Sequence, residues 1–252
     1  MKISDRAVNP GAQRKSGYMK SSEYRDGGRA VRPRDAATLI IVRKGGKEPR
    51  VLMGQRSANH KFMPNKFVFP GGKVDRGDGR IQPPHDLSNE VMQRLTLGCS
   101  ETRARALALA AIRETYEETG LVIGEPDTPT LKTRSPHWSQ FLQHDVNPRL
   151  DVLQYIARAI TPPYRTRRFD ARFFMVDAEH IQGDVHERPT GSGELLGLHW
   201  IEISKAQQMD QLPHITRMVL AELEQRLRDG RSAEAPGPFV YTRNGKSVVD
   251  YQ

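Results

Sequence analysis

The sequence predicts an α/β fold in which a mixed β-sheet lies between layers of helices. Short apolar runs alternate along the chain with longer segments of helical periodicity, which is the arrangement of a sheet packed between helices. A glycine pair directly follows one of the predicted strands, and the longest helical segment ends at Gly120. No internal repeat is visible, so 252 residues with 37% apolar content indicate one domain with insertions or tails.

Three predicted strands precede the glycine pair in the sequence. Residues 36–42 and 51–55 predict strands joined by a Lys-Gly-Gly-Lys turn, and residues 67–69 lead into Pro70-Gly71-Gly72. The segment 79–99 that follows contains two prolines and a short amphipathic helix over 86–95. We therefore expect this segment to be a loop and helix inserted between the glycine pair and the long helix.

The long helix begins with Ser100 or Thr102 as its N-cap. At about 100° per residue, an apolar stripe formed by Ala108, Leu109, Ile112 and Tyr116 lies opposite a charged face. The helix therefore packs one face on the core and presents carboxylates on the other.

The second half of the chain continues the alternation. Strands are predicted at 121–123, 153–160, 172–176 and 198–203, and helices at 138–143 and 213–228. The last residues predict a hairpin of 239–241 with 247–249 across Arg243-Asn244-Gly245-Lys246. The predicted organisation is a basic, disordered leader at 1–33, a domain at 34–228, and a C-terminal tail at 229–252.

The charged face of the long helix is the most informative feature. The run 113–121 places Glu114, Glu117 and Glu118 on one helical turn with Arg113. Like charges three and four residues apart repel each other by a few tenths of a kcal/mol per pair, and Arg113 alone offsets them. A solvated, glutamate-rich surface is the alternative, but the small Ala110 and Ala111 let another segment approach beside the acids. The pattern therefore indicates a cation site.

This run resembles the second half of the Nudix signature, Arg-Glu-apolar-x-Glu-Glu-x-Gly-apolar, with Thr115 in the apolar position. Its first half matches Gly72 to Asp78, although 34 residues separate Asp78 from Arg113 where the signature has seven. A box interrupted by about 27 residues is similar to that of the coenzyme A diphosphatase branch of the Nudix hydrolases. The resemblance implies a Nudix-type α/β/α sandwich over about 34–228, with a helical insertion within the box.

An upstream motif points to the same branch. Residues 52–72 resemble the coenzyme A signature in spacing, with Lys61 in place of Arg, Asn65 in place of Gly, and Met53-Gly54 in place of Leu-Thr. The resemblance implies that Arg56, Ser57 and Lys61 bind substrate.

Hydrolysis of a diphosphate needs cations over the phosphoryl oxygens and a group that deprotonates water. Oxygen-rich clusters select Mg²⁺ or Mn²⁺. We expect Glu114, Glu117 and Glu118 to be metal ligands, with the Gly71 carbonyl, as the resemblance implies, and with Asp78 as the weakest member. Glu114 or Glu118 would also serve as or orient the base. Arg113 would orient Glu117 and brace the loop that carries Asp78.

Two further groups extend the predicted site. In the family that this chain resembles, the general base sometimes lies on a late loop, and here Glu187 and Glu194 are the acids available on such a loop. The alternative interpretation is an ordinary acidic surface loop. The densest basic stretch, 164–172, contains Arg168, which would bind a phosphate of the substrate. A solvated charge run is the alternative interpretation of that stretch.

Composition also bears on nucleic-acid binding, membrane insertion and disulfide formation. The net charge is +9, and much of it lies in residues 1–33, so nucleic acid is a candidate partner only through this leader. No apolar run reaches the length of a membrane span. Cys99 is the single cysteine, which excludes disulfides within the chain and favours the cytosol. A homodimer is left open.

Three functions are therefore considered. The first is a metal-dependent hydrolase of the diphosphate of coenzyme A or acyl-coenzyme A. The second is the same chemistry on NADH, ADP-ribose or RNA 5′ ends. The third is a Nudix domain that binds a nucleotide and regulates a partner without turnover, which the complete set of carboxylates disfavours.

Overall fold

A computed structural model describes residues 24–25, 27–59, 62–126, 131–182, 194–231 and 234–252. The strands within these residues are β1 (Arg34–Arg43), β2 (Arg50–Arg56), β3 (Phe67–Val68), β4 (Gly71–Lys73), β5 (Val122–Pro126), β6 (Val146–Pro148), β7 (Gln154–Ile160), β8 (Phe169–Asp177), β9 (Ile181–Gln182), β10 (Leu195–Glu202), β11 (Pro238–Arg243) and β12 (Lys246–Tyr251). The helices are α1 (Asn89–Thr96), α2 (Glu101–Thr119), α3 (Pro136–Leu142), α4 (Ile203–Gln207) and α5 (His214–Asp229). Among the described residues, no helix is both long enough and apolar enough to cross a membrane.

The main sheet is mixed. Its strands follow the order β10-β2-β1-β8-β7-β11-β12, with β3 paired to β2 and β4 paired to β1. The central pair β1 and β8 is parallel, as is the pair β7 and β11, whereas the other pairs of this sheet are antiparallel. A separate small sheet has the order β6-β5-β9. The prediction of a mixed sheet is confirmed.

Alternate side chains of β1 enter two different cores. Leu39 and Ile41 are fully buried against α2, α1 and α3, and Ile40 and Val42 are fully buried against α4 and α5. Successive side chains of a strand point to opposite faces, so a strand with a continuous apolar run requires a helical layer on both sides. The result is the predicted α/β/α sandwich.

The caps of α2 follow the local sequence. Ser100 is the N-cap, and its hydroxyl accepts a hydrogen bond from the Arg103 N–H. Gly120 ends the helix in the left-handed region, at a φ of +74°. Thr115, the polar residue in the apolar position of the signature, is fully buried and donates its hydroxyl to the Ala111 carbonyl at 2.8 Å. Its hydroxyl is thus satisfied within the helix.

The inserted segment is part of the core, which differs from the independent excursion that the sequence predicted. Helix α1 is capped by Ser88, and its Val91 and Leu95 are buried in the same core as α2. Arg94, also on α1, donates to the carbonyls of Tyr155 at 2.6 Å and of Gln252 at 3.2 Å. The insertion therefore holds strand β7 and the C-terminal residue.

The segments on both sides of the predicted domain contact it in the structure. The predicted hairpin is present, with Asn244 and Gly245 at φ values of +50° and +76°, and β11 pairs with β7, so the tail is part of the main sheet. At the other end, the Arg25 N–H donates to the Tyr164 carbonyl at 3.0 Å. The described part of the leader, residues 24–25 and 27–33, is thus docked on the loop before β8, and residues 1–23 lie outside the described residues.

Candidate active site

Two of the three glutamates of α2, Glu114 and Glu118, lie against the glycine pair of β4. The Gly71 N–H donates to Glu118 Oε2 at 2.9 Å. A Cβ added to Gly72 would lie 2.3 Å from the Glu114 carboxyl group, and one added to Gly71 would lie 2.4 Å from the Ala37 carbonyl. Space therefore requires the glycine at position 71, where backbone atoms of β1 approach, whereas a side chain at position 72 would displace the Glu114 carboxylate.

Arg113 joins the two halves of the interrupted signature. Its Nη1 lies 3.0 Å from both Glu114 Oε1 and Glu117 Oε1, and its Nη2 donates to the Lys73 carbonyl at 2.9 Å. Its Nε and Nη2 donate to the two oxygens of Asp78 at 2.8 and 3.1 Å. The guanidinium thus uses its planar fork of donors on both sides of the gap of 34 residues.

Asp78, expected as the weakest of the metal ligands, contacts several protein donors in this structure. It is fully buried, and its oxygens also accept hydrogen bonds from Trp138 Nε1 at 2.8 Å and from the Asp75 N–H at 2.7 Å. Both carboxylate oxygens are therefore occupied by protein donors. In this structure Asp78 holds Arg113, which in turn contacts Glu114 and Glu117.

Burial makes the negative charge of the cluster costly. Glu118 is 4% exposed, and burial raises its pKa to about 8 despite the opposing effect of the Gly71 N–H and of Arg56. Burial also raises the pKa of Glu114, against the opposing charge of Arg113. Burial disfavours the charge of Arg113 itself, yet its hydrogen bonds to Asp78 and its neighbouring carboxylates raise its pKa. Carboxylates whose ionisation is disfavoured in this way are stabilised by a nearby cation.

Arg56 and Glu194 adjoin this cluster from the other side. Arg56 ends β2 and pairs in register with Leu195 of β10, which places Glu194 beside it. Arg56 is half-buried, burial lowers its pKa, and it interacts electrostatically with Glu118, Glu194 and Glu114. The structure therefore brings one predicted substrate-binding residue and one predicted late-loop acid to the glutamates of α2.

The other predicted site residues have no described contact with the glutamates of α2. Ser57 directly follows β2 and is half-buried, whereas Lys61 and Glu187 lie outside the described residues. Arg168 donates to the carbonyls of Thr161 at 2.8 Å and Val31 at 2.7 Å. Its described contacts thus fasten the leader to the loop before β8, and none of them reaches the glutamates.

Helix α3 contributes two residues that the sequence did not indicate. His137 Nδ1 lies 3.0 Å from Glu117 Oε1. Trp138 is fully buried and donates a hydrogen bond from its indole N–H to Asp78. A buried tryptophan requires an acceptor for its N–H, but nothing local identifies Asp78, which is 60 residues away. These contacts join α3 to Glu117 and to Asp78.

The oxygen donors at this site suit a hard divalent cation. Within the described ranges, no three His, Cys, Asp or Glu side chains are already arranged as a metal cage, because Glu114 and Glu117 point to Arg113 and Glu118 accepts from Gly71. The side chains gathered here nevertheless offer carboxylate oxygens, which Mg²⁺ and Mn²⁺ prefer.

Comparisons with known proteins agree with the fold and the motif. No family model matches the chain. A protein of Caenorhabditis elegans named as nudix hydrolase 7 is 30% identical over 179 residues, which cover 67% of this chain and 51% of that protein. The acyl-coenzyme A diphosphatase NUDT19 of Gallus gallus is 24% identical over 205 residues, covering 56% of this chain and 54% of that protein. The chain therefore spans about half the length of these curated relatives.

A solved structure gives the same result for the fold. The crystal structure of a NUDIX hydrolase from Alicyclobacillus acidocaldarius has a TM-score of 0.60 and 26% sequence identity, and the match covers 77% of this chain and 92% of that one. The interrupted signature, the α/β/α sandwich and these similarities define the class of protein: the chain belongs to the Nudix hydrolase superfamily. Within the superfamily it resembles the coenzyme A diphosphatase branch.

Proposed function

We propose that the chain is a hydrolase, dependent on Mg²⁺ or Mn²⁺, that cleaves the diphosphate of coenzyme A or acyl-coenzyme A. The products would be 3′,5′-ADP and a phosphopantetheine or its acylated form. The observation that carries the proposal is the buried carboxylate of Glu118, which accepts the Gly71 N–H at 2.9 Å and interacts electrostatically with Arg56. At this position the carboxylate would bind the cations, and the guanidinium of Arg56 would bind the diphosphate.

The cation would be held by the carboxylates of Glu114, Glu117 and Glu118 and by the Gly71 carbonyl. When bound, divalent cations neutralise charge on the phosphoryl oxygens and lower the pKa of water. Arg113 would orient Glu114 and Glu117 through its Nη1 contacts, and Asp78 would fix Arg113 through two hydrogen bonds. In this assignment Asp78 acts as a positioning residue outside the metal ligands.

Arg56 would bind the substrate diphosphate. It lies at the end of β2 beside the cluster, and the burial that lowers its pKa also strengthens its interaction with an anion. Ser57 and Lys61 follow it on the segment that resembles the coenzyme A signature. We expect this segment to bind the substrate next to the scissile bond.

The general base would be one of three glutamates. Glu114 and Glu118 belong to the cluster, and Glu194 approaches from β10 through its interaction with Arg56 and Glu118. Replacing each in turn by Gln separates these roles, because loss of the base lowers kcat while cation binding persists, whereas loss of a ligand weakens both.

The substrate class rests on the sequence and on the names of relatives. The coenzyme A signature is complete in spacing over 52–72, and two matching proteins are named acyl-coenzyme A diphosphatases. Lys61 and Asn65 depart from that signature. NADH, ADP-ribose and RNA 5′ ends therefore belong in the same experiment.

The test is a turnover screen of the purified chain with coenzyme A, acyl-coenzyme A, NADH, ADP-ribose and triphosphorylated RNA, with Mg²⁺, with Mn²⁺ and with EDTA. We expect 3′,5′-ADP from the coenzyme A forms only when a cation is present, and we expect Glu117→Gln to lower its rate of formation about 100-fold. Rapid cleavage of NADH without cleavage of coenzyme A would show that the proposed substrate is wrong. Cation-independent turnover, or full turnover by Glu117→Gln, would reject the site.

A further inference from the structure

A second charged surface lies where the leader docks on the loop before β8. Its first segment, residues 24–34, contains Arg25, Arg29, Arg32 and Arg34, and its second, residues 161–168, contains Arg165, Arg167 and Arg168. The two segments are joined by the bridge between Tyr24 and Arg165. Asp26 is the single acid in the sequence of both segments. We call these two segments the arginine–tyrosine surface.

The positive charge of this surface is not neutralised by neighbouring carboxylates in the described part of the chain. Asp35 and Asp170 border it, but Asp35 pairs with Arg103 and Arg172, and Asp170 pairs with Arg158 and Arg172. Among the described residues, no carboxylate forms an ion pair with the exposed Arg29, Arg32, Arg34 or Arg167. Within the part of the chain that the structure describes, these four guanidinium groups are therefore available to an external anion.

Two tyrosines lie between these arginines. The rings of Tyr24 and Tyr164 are stacked, with their planes at 4° and their centroids 6.0 Å apart, and each residue is about half exposed, at 51% and 52%. The guanidinium of Arg165 lies over the Tyr24 ring at 4.5 Å. Exposed, parallel aromatic rings with guanidinium planes beside them provide faces on which bases stack.

We propose that the arginine–tyrosine surface binds a single-stranded nucleic acid, with arginines on successive phosphates and a base on Tyr164. The spread of charge over two chain segments fits a polymer of phosphates better than one small anion. The stacked tyrosines favour a strand with accessible bases over a duplex, whose bases are already stacked. RNA and single-stranded DNA share this chemistry.

This surface is separate from the glutamates of α2. Arg34 pairs with Phe169, whereas Thr38 pairs with Gly71, so the surface begins four residues, or about 13 Å, along β1 from the glycine pair. Binding to it can therefore be measured in EDTA, without turnover. The outcome is independent of the proposed hydrolase activity.

The test is the fluorescence anisotropy of labelled single-stranded RNA and DNA, titrated with the full chain in EDTA at several salt concentrations. The variant Arg29→Gln, Arg32→Gln, Arg167→Gln is compared with a matched control, Lys47→Gln, Arg243→Gln, Lys246→Gln, in which three exposed cations elsewhere are removed. We expect the first variant to bind about tenfold more weakly and to lower the slope of log affinity against log salt by about 2. The control should retain the wild-type slope.

A second pair of variants tests stacking. Tyr164→Leu should weaken binding about fivefold or more, whereas Tyr164→Phe should retain it. Tighter binding of RNA or of DNA would identify the source of the ligand. Equal losses in both triple variants, equal binding of duplex and single strand, or binding of phosphatidylserine vesicles without binding of either oligonucleotide would overturn the proposal. Circular dichroism melting of each variant checks that it is folded.

Discussion

Two arginines on neighbouring helices are almost equally buried, yet they have opposite surroundings. Arg113 of α2 is 3% exposed and contacts Asp78, Glu114 and Glu117, which together raise its pKa. Arg94 of the inserted α1 is 8% exposed and donates to the carbonyls of Tyr155 and Gln252, and burial lowers its pKa to about 10. The first arginine contacts carboxylates of the candidate site, and the second ties chain segments together.

The different contacts of the two arginines explain how the two halves of the interrupted signature can stay together in space. The insertion lengthens the connection between Asp78 and Arg113, but the contact between these two side chains restores the geometry directly. The inserted helix meanwhile fills part of the core with Val91 and Leu95. A long insertion between fixed ends has a small entropic cost, and here the buried contacts of the insertion offset it.

The largest expected effect is on activity, from Glu118→Gln. Since charge stabilisation by a cation is worth several kcal/mol, we expect kcat to fall roughly 10²- to 10³-fold. The matched control is Glu222→Gln, which alters the buried glutamate that pairs with Arg226 on α5. Initial rates with coenzyme A measure both. An equal loss in the two variants would mean that the effect comes from burial of a charge and not from the site.

The second expected effect follows from Arg113→Met. Because Asp78 would keep a buried charge without its ion-pair partner, we expect a loss of about 3–5 kcal/mol in the free energy of unfolding. We also expect activity to fall about 10- to 100-fold, as for residues that orient metal ligands. Urea unfolding and initial rates are the measurements. Wild-type stability in this variant would show that Asp78 does not depend on Arg113.

Much of α2 and its site could be predicted from the sequence because the relevant signals are local. Ser100 and Gly120 mark the ends of α2, and the spacing of Glu114, Glu117 and Glu118 places them on one face. The contacts made by His137, Trp138 and Arg94 join residues far apart in the chain, so no local pattern indicates them. For the same reason the parallel pairing of β11 with β7, which brings the tail into the sheet, was not predicted.

A smaller effect is expected from Gly72→Ala. The added Cβ would lie 2.3 Å from the Glu114 carboxyl group, whereas a Cβ at Gly79 would meet nothing closer than the Ala106 Cβ at 4.0 Å. A displaced Glu114 should lower activity about tenfold, because ligand displacements of about 1 Å are costly, and the flexible carboxylate should limit the effect on stability. Gly79→Ala is the control in the same assays. Equal activities of the two variants would show that Glu114 has no fixed position in the site.

The smallest effect on activity is expected from Arg94→Met. The carbonyls of Tyr155 and Gln252 would lose a donor, which should lower the free energy of unfolding by about 1–3 kcal/mol. The value of kcat with coenzyme A should stay within about twofold, because Arg94 contacts none of the three glutamates. A fall in kcat comparable to that of Arg113→Met would remove the distinction between the two arginines.

The most direct test of the central claim, that the three glutamates of α2 hold a divalent cation, is the binding of Mn²⁺ followed by electron paramagnetic resonance. Titrating the wild-type chain should deplete the signal of free Mn²⁺ in a saturable manner, and Mg²⁺ should restore it. The double variant Glu117→Gln, Glu118→Gln should leave the free signal near that of buffer, while Glu222→Gln should bind as the wild type does. Undiminished Mn²⁺ binding by the double variant would contradict the account.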